Sequence, residues 1–167
     1  MTMERPFSHV NAEGELRMVD VSDKAPTRRR AEASCRVVTS VDLAALPERA
    51  DGLGARHAAR VAGVLAAKRT DELIPLCHSL ELSDVDVRVT PIEGGLAVAA
   101  TVTATQRTGV GMEALTACAV AALSLIQAIG EVDPTAHVEG LALDAKEGGR
   151  SDAWGRSVPE GPEPGAR

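Results

Sequence analysis

The chain has 167 residues and a net charge of −6 from 24 acidic and 18 basic side chains, with one Trp, one Phe and no Tyr. That length suits one domain with a core of its own, and the core must be built from Val, Leu, Ile and Ala. The acidic balance excludes a phosphate-backbone reader, which needs a basic surface, and the missing aromatics leave no rings for stacking single strands.

The first dozen residues are polar. Leu16 to Val21 alternates and reads as an edge strand. Residues 28–39 place Ala31, Ala33, Cys35 and Val37 on one parity, a strand at period two. Arg28-Arg29-Arg30 opens it, as charge does when it blunts a sheet edge. Val41 to Leu46 reads as a short helix capped by Ser40 and stopped by Pro47. Asp51-Gly52-Leu53-Gly54 reads as a turn.

Ala55 to Lys68 is helical, with Ala58, Val61, Ala62 and Leu65 on its apolar face and Arg56, Arg60 and Lys68 on another. Pro75 breaks regular structure, so Cys77 and His78 fall on a loop or strand entry. Val85, Val87 and Val89 alternate with charge. After Glu93-Gly94-Gly95 the alternation resumes through Val98, Ala100, Val102 and Ala104, which is a β-hairpin with one apolar face.

Thr108 to Gly111 leads into a long helix from Met112 to Ile129. His137 to Asp144 forms the last strand. Residues 1–152 are expected to form the domain and 153–167 a disordered tail rich in Gly, Pro, Arg and Glu.

The order β, helix, β, β, helix, β suits an antiparallel sheet with two helices on one face, a ferredoxin-like α+β fold. The second helix is almost uncharged after Glu113. A helix apolar all round needs cover on more than one side, so the expectation is an oligomer. The most apolar run, Ala114 to Ile126, is short of the ~20 residues that span a bilayer, and the N-terminal residues hold no apolar stretch of signal-peptide length. No membrane partner and a cytoplasmic location are expected. Cys35, Cys77 and Cys118 are odd in number and widely spaced, which favours reduced thiols over a disulfide framework.

Candidate chemistry gathers in two places. Lys68 to His78 brings together two cations, a thiol and an imidazole. His78 can act as acid, base or anchor, or serve as a hydrogen-bonded structural His. Thr108-Gly109-Val110-Gly111 before a helix can cradle an anion or be a plain turn, and Glu113 suits a first helical turn whatever its function. Lys146 to Arg150 can fold over an anion or simply end the domain. No P-loop, dinucleotide fingerprint or Ser-His-Asp order is present.

Phe7-Ser-His-Val-Asn, Met18 to Lys24, ARVAGVLAAKRTDELIPLCHSL at 59–80, TGVGMEALTACAVAAL at 108–123 and LDAKEGGRSD at 143–152 together resemble the cyclic pyranopterin monophosphate synthase family, the molybdenum cofactor biosynthesis protein C. The resemblance covers nearly the whole chain up to Asp152. It implies a ferredoxin-like fold in a hexamer, a trimer of dimers, with the site at a dimer interface. It implies a lyase that converts cyclised dihydro-GTP, 3',8-cyclo-7,8-dihydroguanosine triphosphate, to cyclic pyranopterin monophosphate with release of diphosphate, and that needs no cofactor or metal. By the same resemblance Leu76, Cys77, His78, Met112 and Glu113 bind substrate, and His78, Lys68 and Lys146 carry the chemistry.

Four positions depart from the family pattern. Gly52 stands where a Lys is usual, Gly111 where a Glu is, Gln127 where an Asp is, and Gly130 where a Lys is. Gln exchanges no proton at neutral pH and Gly has no side chain. The alternative is therefore a catalytically impaired relative that binds a purine or pterin phosphate or pairs with an active homologue. Arg56, His57, Glu131 and Asp133 lie near the altered positions as candidate replacements.

Overall fold

The computed structural model describes residues 8–42, 52–149 and 153–156. Strand β1 (Thr27–Val38) follows the alternation closely: Ala31, Ala33, Cys35 and Val37 are buried and the polar parity is not. Strands β2 (Asp84–Ile92) and β3 (Gly95–Gln106) form the expected hairpin. The Glu93-Gly94 loop turns at Gly94, whose φ of 72° suits glycine. Gly95 is required for a different reason, since a Cβ there would lie 1.9 Å from the Val37 carbonyl oxygen.

Strand β4 (His137–Glu147) and the short β5 (Trp154–Gly155) complete an antiparallel sheet ordered β2-β3-β1-β4-β5. The sheet thus extends past residue 152, and residues 157–167 of the expected tail lie outside the described residues. β1 is the central strand rather than an edge, so the arginines at its start blunt nothing. Arg30 pairs with Glu32 and Glu147, and Arg29 donates to the carbonyls of Gln106, Arg107 and Gly148.

Helices α1 (Gly52–Ala67) and α3 (Gly111–Ile129) cover one face, with the single turn α2 (Thr70–Leu73) between α1 and the β2 hairpin. This is the ferredoxin-like α+β arrangement expected. Gly52 to Gly54 belong to α1, so the expected turn there is the helix start. α1 also buries a different face from the one expected. Ala55, Ala59, Gly63, Ala66 and Ala67 face inward, while Val61 and Leu65 are 59% and 50% exposed.

The helices touch so closely that only small side chains fit between them: a Cβ on Gly63 would lie 2.8 Å from the Ala117 carbonyl oxygen and 3.2 Å from the Ala121 Cβ. α1 therefore supplies the second cover that α3 needs within one subunit. Nine α3 residues are buried, Ala121 and Ala122 completely. α3 is long and apolar enough to cross a membrane by length and composition alone, but here it is the core helix between the sheet and α1.

One other expectation fails and a second is not reached by the described residues. Leu16 to Val21 forms no strand. Val10 bridges Leu16, the Asn11 side chain accepts from the Glu13 and Glu15 amides, and Asp20 accepts from Ser22. These local bonds outcompete sheet pairing. The helix expected over Val41–Leu46 falls mostly outside the described residues. Ser40 serves Asp133 instead, through its amide at 2.9 Å and its hydroxyl at 3.2 Å.

The core is small and aliphatic, with Leu96, Leu125, Val37, Val87, Val98 and Val102 its largest fully buried members. All three cysteines are free. Cys35 on β1 and Cys118 on α3 meet at 3.3 Å between their sulfurs.

Candidate functional site

α1 ends where Thr70 turns its buried hydroxyl back onto the Ala66 and Ala67 carbonyls, at 3.2 and 3.0 Å. The Ala66 carbonyl also accepts from the Arg69 amide at 3.1 Å, so the hydroxyl adds to the bonds that close the helix end. Lys68 is exposed in the turn that follows. After α2, Pro75 prevents further helix, the Cys77 amide bonds the Ile74 carbonyl, and the chain presents Leu76, Cys77 and His78, all half-buried.

His78 is held from outside its own loop: its Nε2 lies 2.8 Å from the Val19 carbonyl oxygen. A carbonyl only accepts, so Nε2 carries a proton, and Nδ1 is the ring nitrogen left to exchange one. Val19 thus lies against the loop, and Arg107 ties the same segment further by donating to the Ser22 carbonyl.

α3 starts with Val110 in the cap position and no side-chain cap. Met112 is 39% exposed, whereas Glu113 is 4% exposed and its Oε2 has no hydrogen-bond partner. Burial raises the Glu113 carboxyl above its ordinary value, and Asp71 adds to this. Burial, then Glu113 and Asp71, push the Cys77 thiol up as well. Asp71, Cys77 and Glu113 are therefore neighbours, and the two stretches read from the sequence meet in space. A buried carboxyl with one idle oxygen is costly unless something donates to it.

The sign of that cost is testable. A raised folded pKa means full stability below the ordinary value of 4.5 and a loss as pH rises through the raised value. Glu113→Gln is expected to melt higher than the native chain at neutral pH and to match it near pH 4, as read by thermal unfolding across pH.

Lys146 reaches the same end of the molecule by a device that alternation hides. β4 carries bulges opposite Glu32/Ala33 and Ser34/Arg36. The first lets both Leu143 and Lys146 pair with inward-facing residues, Ala33 and Ala31, although they differ in parity. Lys146 thus stands on the helix-bearing face, where α3 begins and the Gly111 position lies 3.5 Å from Leu143. Its ammonium sits 5.8 Å from the Trp154 ring centroid. Sequence reasoning missed Trp154 and the Val19 carbonyl. The first was hidden in an apparent tail, and the second is a backbone atom in a segment read as an edge strand.

The altered positions divide unevenly. Gly111 opens α3 beside Glu113, and a Cβ there would meet only Leu143 at ordinary distance. Gln127 and Gly130 lie at the other end of α3, roughly 21 and 26 Å from Glu113 at 1.5 Å per residue. α1 runs antiparallel to α3, since Gly63 faces Ala117 and Ala121 while Asp71 lies by Glu113. Gly52 therefore shares the far end with Gln127 and Gly130.

Of the candidate replacements, Asp133 is already committed. Its carboxylate accepts from Thr39, Ser40 and Thr135, with the Thr135 hydroxyl first among the bonds that hold it well below the usual carboxylate range. Glu131 is exposed, and His57 lines a groove of about 310 Å³ with Arg60, Val61, Leu65, Val85 and Asp86. Among the described residues no group of three or more His, Cys, Asp or Glu is placed to hold a metal ion.

The MoaC family model matches residues 18–149. A Streptomyces griseus protein named cyclic pyranopterin monophosphate synthase is 43% identical over 166 residues, covering 98% of this chain and 93% of the relative. A Chloroflexus aggregans protein of the same name is 48% identical over 158 residues, covering 90% and 93%. The Mycobacterium tuberculosis protein named cyclic pyranopterin monophosphate synthase 2 is 46% identical over 156 residues, covering 90% and 91%. With both stretches of the candidate site inside the matched region, the chain belongs to the MoaC family.

Proposed function

We propose that this chain is a lyase of molybdenum cofactor biosynthesis that converts cyclised dihydro-GTP to cyclic pyranopterin monophosphate and releases diphosphate. The observation that carries this reading is identity of 43–48% over nine-tenths or more of the chain to relatives bearing that synthase name. The site's chemistry agrees. Glu113 offers an idle buried oxygen to ring N–H donors, His78 offers Nδ1 for proton exchange, and Lys68 and Lys146 offer ammonium groups to phosphate oxygens. Leu76, Cys77 and Met112 form the walls beside them. No step needs a cofactor.

The active form in this reading is a cytoplasmic hexamer, a trimer of dimers. Its support is the division just described. The positions that the family resemblance groups into one site lie at opposite ends of the α1–α3 layer, so one subunit's His78, Glu113 and Lys146 need the far end of a neighbour's helices to complete the set. The exposed apolar Val61 and Leu65 on α1 and Leu123 on α3 suit contacts between subunits.

The decisive experiment is a single-turnover and steady-state assay of diphosphate release from purified protein with cyclised dihydro-GTP, alongside its native mass. Diphosphate and cyclic pyranopterin monophosphate in equal amounts support the reading. Tight binding without turnover would establish the impaired relative instead, and a monomeric native mass would remove the shared site.

A further inference from the structure

Trp154 is the only tryptophan in a chain without tyrosine, and it is not placed by hydrophobic burial, being 44% exposed. Its position is set by backbone anchors on both sides. After it, the Arg156 amide donates to the Asp144 carbonyl at 2.7 Å, and the Arg156 guanidinium meets the Asp144 carboxylate at 2.6 Å. Before it, Gly148 and Gly149 adopt φ of 95° and 87° and pack against Arg29, which donates to the Gly148 carbonyl at 3.1 Å. Between these anchors Trp154 pairs with Lys146 in the β4–β5 register. Cross-strand partners project to the same side, so the ring stands beside the lysine on the helix-bearing face.

We propose that Trp154 is a positioning residue for Lys146, its ring face holding the ammonium at the mouth of the site where it meets a polyphosphate. The inference rests on the synthase reading for the role of Lys146. A lysine is a point charge on a long flexible stem, and alone it would sample many rotamers. The negative face of an indole within ~6 Å restricts that spread. The ammonium has three donors, so it can keep the ring contact while phosphate oxygens form charge-assisted hydrogen bonds with it.

The test uses the full chain and inorganic tripolyphosphate, a probe independent of turnover. With one indole and no phenol, emission reports Trp154 alone. Tripolyphosphate is expected to change that emission saturably in the native protein and to leave it unchanged in Lys146→Ala. By calorimetry, Trp154→Ala is expected to weaken tripolyphosphate binding about three- to five-fold, in keeping with an exposed cation–π contact, and Trp154→Phe to restore most of the loss. In turnover, Trp154→Ala should raise KM more than it lowers kcat.

Equal affinities for the native chain and Trp154→Ala, an emission change that persists in Lys146→Ala, or no tripolyphosphate binding by the native chain would each overturn the proposal. Native turnover alongside any of these leaves the synthase reading standing. Conversely, Trp154-dependent binding without native turnover keeps the contact and removes the synthase reading. Circular dichroism checks the fold of each variant, and the Phe variant keeps the test sound if the Ala variant loosens β5.

Discussion

His78→Ala is expected to lower kcat/KM for diphosphate release by about 10²- to 10⁴-fold, the usual cost of removing a positioned acid–base group. The argument rests on orientation. Val19 fixes the Nε2 proton at 2.8 Å, so the opposite nitrogen is the one left to exchange a proton. The ring sits in the same loop as Cys77, which neighbours the buried Glu113. Stability should change far less, because the variant loses one hydrogen bond worth about 0.5–1.5 kcal/mol net. Steady-state kinetics with a thermal melt on the same preparation separates the two effects. An unchanged kcat/KM would reduce His78 to an anchor for residues 8–24.

The largest effect on stability is expected at Gly63. A Cβ there meets the Ala117 carbonyl oxygen at 2.8 Å, Val87 Cγ2 at 3.1 Å and Ala121 Cβ at 3.2 Å. The nearest of these is backbone, so relief requires the helices to move apart. Gly63→Ala gains about 1 kcal/mol in helix propensity but is expected to lose about 1–3 kcal/mol to overpacking, for a net loss. Gly63→Val adds two more methyl groups and should lose more, up to failure to fold. Ala58→Val, exposed on the same helix, should cost only about 0.6 kcal/mol through propensity. Denaturant melts of the three variants would show the order; a Gly63→Val chain as stable as Ala58→Val would mean that the α1–α3 contact is loose.

That contact also explains which parts of the fold could be read in advance. β1, the β2–β3 hairpin and α3 were legible because their alternation or length reports burial directly. α1 was legible as a helix but not in its orientation. Hydrophobic pattern ranks residues by apolar size, and the face of Val61 and Leu65 is the more apolar one. Close helix packing selects instead for small size, so the Ala and Gly face went inward. For the same reason the unpaired look of α3 pointed to a neighbouring subunit when α1 was its partner. Lys146 came through the family resemblance, but its direction depended on a bulge that period-two counting cannot place. His78 and Glu113 were legible as residues, whereas the carbonyl that sets the His78 tautomer carries no side-chain signature at all.

The central place of β1 has a kinetic consequence. It is bonded along its length to β3 on one side and to β4 on the other, so its amides can open only when the sheet does. Residues 8–24 are held by one bridge, local turns and the bonds to His78 and Arg107. Amide exchange should therefore be slowest in β1 and fastest in this segment, with a gap spanning much of the global unfolding free energy. The Val19 carbonyl belongs to the fast class, so the group that sets the His78 tautomer can detach and return many times while the sheet that carries Lys146 stays closed.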